Sequence, residues 1–309
     1  MNLKQVRYFV RIIECGSLSK AAAELGVAQP ALSQHLRLLE EELGVELVVR
    51  HSRGVLPNDL GAMLLSHFRS ILNEIDRTPT LVRDLTSNPS GEVRLGVPTT
   101  AARALTTRIV PRVHERYPSI TLQVVEAMSS SLGQSLQQGA LDLAVLYNPA
   151  MLPLDDTTEL TPVLTEDLFL MSKSKDKIMN REVVPFPLLA EFPLVLPCYP
   201  NVLTKLLYEQ ATRRGVPLNV KFEIDSMSSI MELINGDFCS VLPRVTMRRE
   251  LAEGSVVATP IVDPPLSWSV YVASSTKRVR SRAMRAVHRL VIEVAHEMVD
   301  EGTWPARLI

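Results

Sequence analysis

The pattern of apolar residues changes near position 90, and this change divides the chain into two parts that fold differently. Before it, apolar residues recur at steps of three and four, which is the spacing of amphipathic helices. After it, short apolar runs alternate with helical segments, and the run at 141–147 is almost wholly apolar. This alternation is typical of an α/β domain whose parallel sheet is covered on both faces. A chain of 309 residues is long enough for two or three modules.

The first 57 residues predict three short helices and a hairpin. Glycine commonly ends helices, so Gly16 and Gly26 mark the ends of the first two. Ser17 is placed to cap the second helix, and Pro30 suits the first turn of the third. Alternating apolar residues at 45–55, interrupted by a turn, then predict a two-stranded hairpin.

A long amphipathic pattern follows at 58–88. With Thr78 filling one gap, its apolar residues recur at steps of four and three, as in a helix that packs against a partner in a coiled coil. This predicted seam consists of Leu60, Leu64, Phe68, Ile71, Ile75, Val82 and Leu85. Pro79 lies within the pattern, so we expect a kink or break near 75–78. The polar stretch at 87–91 predicts a hinge.

Composition narrows the classes of protein. The formal net charge is −1, so any nucleic-acid surface has to be local. The cysteines at 15, 198 and 239 are odd in number and widely spaced, which suits neither a disulfide framework nor a zinc site. The sequence has neither a signal-peptide pattern nor the run of about 18 apolar residues that spans a bilayer. We expect a cytoplasmic protein without a cofactor, a metal or a membrane partner.

Residues 17–39 have the pattern of two helices joined by a tight turn and read SLSKAAAELGVAQPALSQHLRLL. Small residues in the first helix allow close approach, and leucines of the second fill the angle between them. Away from this apolar stripe, the second helix carries Gln29, Ser33, Gln34 and Arg37. Such side chains hydrogen-bond base edges in the major groove, and arginine also binds phosphate. The alternative is a small helical core whose polar residues are merely solvated.

Several short motifs in the first 65 residues resemble the N-terminal signature of the LysR-type transcriptional regulators. They are Tyr8-Phe9, Gly16-Ser17-Leu18, Ala21-Ala22, Ala28-Gln29-Pro30-Ala31-Leu32-Ser33, Leu39-Glu40, Leu43-Gly44, Leu47, Arg50 and Gly61. The resemblance continues more loosely along the chain, and residues 28–34 and 166–170 resemble a nitrogen-assimilation subgroup. It implies a winged helix-turn-helix and a two-lobed, Rossmann-like effector domain similar to periplasmic binding proteins.

The resemblance also implies domain bounds and partners. The expected domains are the winged helix-turn-helix at 1–57, the linker helix for dimerisation with its hinge at 58–90, and the effector domain at 91–309. Its first lobe would cover about 91–162 and 267–309, and its second about 163–266. The implied partners are promoter DNA, further copies of the chain in a dimer or tetramer, RNA polymerase and a small-molecule effector.

In DNA binding, the second helix of the motif would read the major groove. Arg50 and Arg53 in the hairpin are placed for phosphate or minor-groove contacts. The full set of expected DNA-contacting residues is Ser17, Ser19, Lys20, Gln29, Pro30, Ala31, Ser33, Gln34, His35, Arg37, Arg50 and Arg53.

The expected effector site lies beyond the carboxyl ends of the strands, where helix N-termini attract anions. The first strand is followed by Pro98, Thr99 and Thr100, whose hydroxyls and backbone N–H groups suit a carboxylate. The family resemblance adds Ser129, Ser130, Tyr147, Asn201 and Val202. The alternatives are that these residues are ordinary caps and turns, or that they line a cleft without a ligand.

Two other functions stay open: a small-molecule binding protein and an enzyme on an α/β fold. The missing export signal and the linker seam argue against a small-molecule binding protein. The second lacks a glycine-rich phosphate loop, a nucleophile elbow and a recognisable Ser/His/Asp set. We interpret Cys198 and Cys239 as buried residues rather than a redox pair, and His288 and His296 as part of a solvated helix face rather than a metal site.

Overall fold

The computed structural model of the chain contains two compact units. The described residues are 1–51, 54–84, 89–173, 181–277 and 280–309. One unit spans Met1–Leu85, and the other spans Thr86–Gln137 and Leu141–Ile309. Each unit has its own hydrophobic core.

The first unit is helical apart from one hairpin. Its elements are α1 (Leu3–Cys15), α2 (Leu18–Leu25), α3 (Gln29–Leu43), β1 (Val48–His51), β2 (Gly54–Pro57) and α4 (Asp59–Asp84). As predicted, Gly16 and Gly26 end α1 and α2, each with a positive φ that glycine adopts without strain. Ser17 caps α2 by accepting a hydrogen bond from the backbone N–H of Lys20. The predicted hairpin is confirmed as the antiparallel pair β1–β2.

Helix α4 differs from its prediction in two ways. It runs without interruption through Pro79, so of the kink or break predicted near 75–78, the break is wrong. A helix can absorb a proline by bending instead of ending. In addition, Phe68 is buried in the core of its own unit, where its ring meets that of Phe9 edge to face at 5.7 Å. Phe68 therefore does not belong to an apolar surface that is left exposed for a partner helix.

The apolar residues of α4 that stay exposed form a neighbouring stripe. Leu60 is 45% exposed, Met63 61% and Ile75 40%. These three positions lie on one side of the helix, next to the face that Phe68 and Leu72 bury. Leu85 and residues 87–88 of the predicted hinge lie outside the described residues. The side chain of Val82, another predicted seam position, is not described either.

Gly61 allows the start of α4 to lie directly against the hairpin segment. A Cβ atom at this position would lie 2.0 Å from the backbone oxygen of Leu47. Asn58 caps the helix here, because its Oδ1 accepts the Gly61 N–H at 2.8 Å and its Nδ2 donates to the Glu46 oxygen at 2.7 Å. The close approach of these backbones thus depends on the missing side chain of Gly61.

The second unit alternates strands and helices. Its elements are β3 (Gly91–Pro98), α5 (Thr99–Arg116), β4 (Ile120–Ala127), α6 (Ser129–Gln137), β5 (Leu143–Tyr147), β6 (Thr158–Lys173), β7 (Val184–Pro185), β8 (Leu194–Leu196), α7 (Val202–Arg214), β9 (Val220–Glu223), α8 (Met227–Ile234), β10 (Ser240–Pro243), α9 (Arg248–Ala252), β11 (Val256–Val262), β12 (Ser267–Ser275), α10 (Arg282–Asp300) and β13 (Arg307–Leu308). The main sheet has the order β4–β3–β5–β12–β6–β11–β7, and β10 and β13 also pair with β6.

The sheet is mixed rather than wholly parallel. Strands β4, β3 and β5 are parallel, as the sequence predicts, but β12 pairs antiparallel with both β5 and β6. Strand β6 has 16 residues. It pairs with β12 up to Asp167 and with β10 from Leu168 onward, so it passes from one half of the unit into the other at this point.

Helices α5 and α10 are held together by a ladder of ion pairs. The pairs are Arg108–Glu301 at 2.6 Å, Arg112–Glu297 at 2.5 Å and Arg116–Glu293 at 2.7 Å. Four-residue steps on each helix put the partners on facing sides. These partly exposed pairs add to the apolar packing between the two helices, and the first residues of α5 lie at the cavity described below.

Glu166 is a buried carboxyl in the middle of β6, with 1% of its surface exposed. It accepts hydrogen bonds from the indole N–H groups of Trp268 and Trp304, both at 2.6 Å. The chain contains two tryptophans, so both bind this one carboxyl. Burial raises the pKa of Glu166 to about 7, although the two indole hydrogen bonds act in the opposite direction.

Replacing Gly61 with alanine should destabilise the first unit by about 2 kcal/mol, because the new methyl group meets the Leu47 oxygen. Urea unfolding followed by circular dichroism would measure this loss. Both tryptophans lie in the second unit, so the transition seen by tryptophan fluorescence should not move. The exposed neighbour Ala62, changed to glycine, is the control and should cost about 1 kcal/mol of helix propensity. A Gly61→Ala variant at least as stable as the wild type would contradict this packing.

Glu166 also predicts a pH dependence of stability. The unfolded carboxyl ionises near its ordinary pKa of 4.5 and the folded one near 7, so the folded chain keeps a proton that the unfolded chain loses between these values. The free energy of unfolding should therefore fall by about 3 kcal/mol from this group as the pH rises from 4.5 to 7. Urea unfolding of Glu166→Gln at several pH values should lack this part of the slope. An unchanged slope would mean that Glu166 does not ionise in this range.

Candidate nucleic-acid interface and ligand cavity

Helix α3 is anchored by one face and presents the other to solvent. Leu32, Leu36 and Leu39 are fully buried against the first two helices. On the α2 side, the small buried side chains of Ala21 and Ala22 allow close contact between the helices. The orientation of α3 is therefore set by packing on both of the preceding helices.

The exposed side of α3 carries most of the residues predicted to contact DNA. This reading face consists of Gln29, Pro30, Ala31, Gln34 and Arg37. Pro30, Gln34 and Arg37 follow one another at helical steps and so share one side. Arg37 is paired with Glu41 at 3.3 Å, four residues further along. Two neutral polar side chains and one cation are thus available to a partner on this side.

Helix α2 borders the reading face at its beginning. The Ser19 hydroxyl donates to the Gln29 side-chain oxygen at 3.1 Å, which links the two helices. Ser19 and Lys20 are exposed, whereas Ser17 is half-buried and occupied as the cap of α2. Ser33 is half-buried beside the reading face.

His35 lies differently from the other predicted DNA-contacting residues. Its ring packs edge to face on Tyr8 of α1, with 5.1 Å between the ring centres, and its Nδ1 atom is buried. The imidazole therefore belongs to the contact between α1 and α3. Arg50 is on β1, where its backbone pairs with Val55, and Arg53 lies outside the described residues.

A small cavity in the second unit collects most of the predicted effector-binding residues. Those that line it are Pro98, Thr99, Thr100, Ser129, Tyr147, Asn201 and Val202. Ser130 is half-buried on α6 and is not among the lining residues. The prediction missed further lining residues, namely Met128, Pro197, Leu203, Met227 and Trp268. The serine that caps α8, Ser226, is a local signal for Met227, but the sequence has no such signal for Trp268.

Four helices begin at this cavity. The first residues of α5, α6 and α7 and Met227 of α8 all line it. Pro98 precedes α5 and offers no side-chain acceptor, while Asn201 caps α7 by accepting the Leu203 N–H at 2.9 Å. The described lining residues carry no charge. Helix N-termini have a positive potential, so the cavity favours a small anion.

The cavity is nearly closed. Its volume is about 20 Å³, and a single water molecule needs about 10–15 Å³ by the same measure. Tyr147 and Trp268 form one wall as stacked rings, with centres 4.1 Å apart and planes at 16°. The buried Thr100 hydroxyl lies 2.8 Å from the Tyr147 hydroxyl. A ligand larger than a few atoms therefore requires the surrounding segments to move apart.

Other candidate sites are weaker. Cys198 is half-buried and Cys239 buried, and no disulfide bond joins them. The His288 ring is half-buried and lies 3.2 Å from the Thr161 hydroxyl. Within the described ranges, histidine, cysteine and carboxylate side chains form no group that could hold a metal ion. No helix in this part of the chain combines the length and the apolar composition of a membrane span.

Comparisons with known proteins agree with this architecture. A family model described as the bacterial regulatory helix-turn-helix protein, lysR family, matches residues 3–62, and the LysR substrate binding domain matches residues 86–296. The nitrogen assimilation regulatory protein nac of Klebsiella aerogenes is 31% identical over 296 residues, which cover 95% of each chain.

Solved structures share the fold. A full-length OxyR variant from Pseudomonas aeruginosa has a TM-score of 0.71 at 21% identity and covers 96% of this chain and 95% of its own. CbnR in complex with its target DNA has a TM-score of 0.67 at 17% identity and covers 96% of this chain and all of its own (100%). The two family models together cover most of the sequence. The chain therefore belongs to the LysR family of bacterial transcriptional regulators.

Proposed function

We propose that this regulator binds promoter half-sites as a homo-oligomer and inserts α3 into the major groove. The observation that carries the proposal is the reading face, an anchored helix side with Gln34 and Arg37 exposed. Gln34 would contact base edges, and Arg37 would contact a base or a phosphate. The fold shared with CbnR, which was solved with its target DNA, supports this use of the first unit.

The remaining assignments follow from the same proposal. Pro30 and Ala31 would lie at the groove entry, and Ser19 and Lys20 would meet the adjacent backbone. Arg50 and Arg53 would bind phosphate or the minor groove from the hairpin. We assign residues 1–57 to DNA binding, 58–90 to the linker and 91–309 to effector binding, with RNA polymerase as a further partner.

The charge distribution supports the choice of surface. Arg7 and Arg11 on α1 are bound to Asp76 and Glu24, and Arg69 on α4 binds Glu14 at 3.0 Å. These ion pairs neutralise the α1–α4 side of the first unit. Lys20 is exposed next to the reading face, and Arg37 on that face is exposed although it is paired with Glu41, so both cations can attract phosphate.

We infer that the second unit binds a small anion, such as a carboxylate, in its cavity. The four helix N-termini and the uncharged lining support this class of ligand. Catalysis is not part of the proposal. The hydroxyls of Thr99, Thr100 and Ser129 have no histidine, lysine or carboxylate beside them among the described lining residues, so no base activates them.

The single experiment that tests the DNA proposal is binding to duplex from the protein's own upstream intergenic region, with random duplex as competitor. Gln34→Ala should weaken specific binding by about 1–3 kcal/mol, or roughly 5- to 150-fold, because base contacts are lost. Binding to random duplex should hardly change. Gln134→Ala, at an exposed glutamine on α6, is the matched control. An equal loss on both duplexes would show that Gln34 does not read bases.

The exposed stripe of α4 predicts an interface with a second copy of the chain. Met63→Glu would bury a charge there and should weaken dimerisation by about 2 kcal/mol, or roughly 30-fold. Sedimentation velocity over a range of protein concentrations would measure this change. Ala62→Glu, exposed on another side of the helix, should leave the assembly intact. If the two variants behave alike, α4 does not dimerise through this stripe.

A further inference from the structure

We propose that the ion pairs Arg7–Asp76 and Glu14–Arg69, which join α1 to α4, fix the angle at which α4 leaves the DNA-binding helices and thereby determine the half-site spacing that a dimer selects. This inference rests on the proposed function, in which α3 enters the major groove and α4 joins two copies of the chain. The four side chains lie outside the proposed set of DNA-contacting residues. They act as positioning residues for the contacts that α3 makes.

Apolar packing holds α1 against α4 but does not specify their angle closely. The Phe9 and Phe68 rings meet edge to face with 5.7 Å between their centres, and Leu72 is buried one turn further along α4. Apolar contacts are non-directional, and helices that pack through them cross at angles that scatter by about 15–20° around each preferred value. A second kind of contact is therefore needed if this angle is to be narrow.

The ion pairs lie at separated points along the same two helices. Arg7 of α1 donates to both carboxylate oxygens of Asp76 on α4. Two turns further along α1, Glu14 accepts hydrogen bonds from Nε and Nη2 of Arg69 at 3.2 and 3.0 Å. Arg69 and Asp76 are also two turns apart, so the attachment points are separated by about 10 Å on each helix. Rotation of one helix on the other about the apolar contact would stretch both pairs, which therefore oppose it.

Glu14 also connects α4 to the helix-turn-helix. Its Oε2 atom accepts a hydrogen bond from Arg11 at 3.2 Å, and Arg11 binds Glu24 of α2 with another guanidinium nitrogen. The Ser19 hydroxyl of α2 donates to Gln29 at the start of α3 at 3.1 Å. Contacts between charged and polar side chains therefore run from α4 through α1 and α2 to the beginning of α3.

The length of α4 makes the half-site spacing sensitive to its angle. The helix has 26 residues and is about 39 Å long. Over this length, a rotation of about 5° moves one end by about 3.4 Å, which is one base-pair step of B-DNA. The scatter that apolar packing alone allows would cover several such steps. Restriction of the angle by the ion pairs therefore restricts a dimer to a narrow range of half-site spacings.

The strength of the pairs suits a choice between spacings. The side chains of Arg7 and Asp76 are 44% and 54% exposed, and those of Arg69 and Glu14 are 46% and 33% exposed. An ion pair of this exposure shifts an equilibrium by roughly two- to fivefold. A dimer contains each pair twice, so the loss of one pair should change the ratio between two spacings by the square of this factor, or roughly 4- to 25-fold.

Selection of bound duplexes from a random pool by the full-length protein can test the proposal, because sequencing these duplexes gives the distance between half-sites. The wild type should select one spacing sharply. Arg7→Glu brings two carboxylates together and should lower the preference for this spacing, over spacings one base pair longer or shorter, by roughly 4- to 25-fold. Asp76→Asn removes the pair with little change in shape and should act in the same direction.

Two further variants separate the effect of the ion pair from effects of charge or folding. The double variant Arg7→Glu with Asp76→Arg restores an ion pair with the charges exchanged and should recover the wild-type spacing. Lys4→Glu makes the same change of charge one turn earlier on α1, at an exposed position, and should leave the spacing unchanged. A double variant that stays as permissive as Arg7→Glu would overturn the proposal.

Salt provides an independent measurement on the wild type. Duplexes of equal length carry the same charge, so the general loss of affinity with salt cancels when two spacings are compared. Because the ion pairs are exposed, screening should lower the preference for the selected spacing as salt rises from about 50 to 300 mM. A preference that does not change with salt would contradict the role of the ion pairs.

The remaining outcomes distinguish this inference from the proposed function. If Arg7→Glu and Asp76→Asn bind all spacings more weakly by the same factor, the pair has only a structural role and the inference is wrong, while DNA reading by α3 stands. The same conclusion holds if both variants keep the wild-type preference. If the wild type selects no sequence from the pool, the proposed function fails, and the inference that rests on it fails as well.

Discussion

One buried carboxyl connects parts of the second unit that are far apart in the sequence. Glu166 on β6 receives an indole hydrogen bond from Trp268 of β12 and another from Trp304 after α10, and the ring of Tyr147 of β5 stacks on Trp268. Taking a carboxylate out of water costs several kcal/mol unless donors replace the water. The positions of Trp268, Trp304 and Tyr147 are therefore interdependent, and Tyr147 and Trp268 are also the stacked wall of the cavity.

The first unit could be predicted largely from local patterns. Glycines end its first two helices, and Pro30 stands in the first turn of α3. The leucine stripe of α3 specifies which face is buried, and its complement is the reading face. His35 is an instructive exception, because it lies at the border between these faces. Its contact with Tyr8 depends on how α1 packs against α3. The helical periodicity within α3 contains no information about the distance between the two helices.

In the second unit, the sequence predicts those cavity-lining residues that stand at the start of a helix. Thr99, Thr100 and Asn201 lie at helix starts, and such ends converge at one edge of a sheet. The full length of β6 and the meeting of two tryptophans at Glu166 depend on strand pairs with no local signature. The prediction of the α4 seam was wrong at Phe68 for a related reason. An amphipathic pattern indicates that a face is buried, but not whether Phe68 packs on its own unit or on a second chain.

The position of Glu166 along β6 links the cavity to the movement that a larger ligand requires. Lining residues between 98 and 147 belong to one half of the unit, and those between 197 and 227 belong to the other. Enlarging the cavity therefore means separating the two halves. Strand β6 crosses between these halves at Asp167 and Leu168, directly after Glu166. The Arg307 pair with Asp167 holds the C-terminal strand β13 at the same place. Trp268 lines the cavity and donates to Glu166 beside this crossing, so a separation of the two halves would act directly on the hydrogen bond that holds Trp268 in the cavity wall.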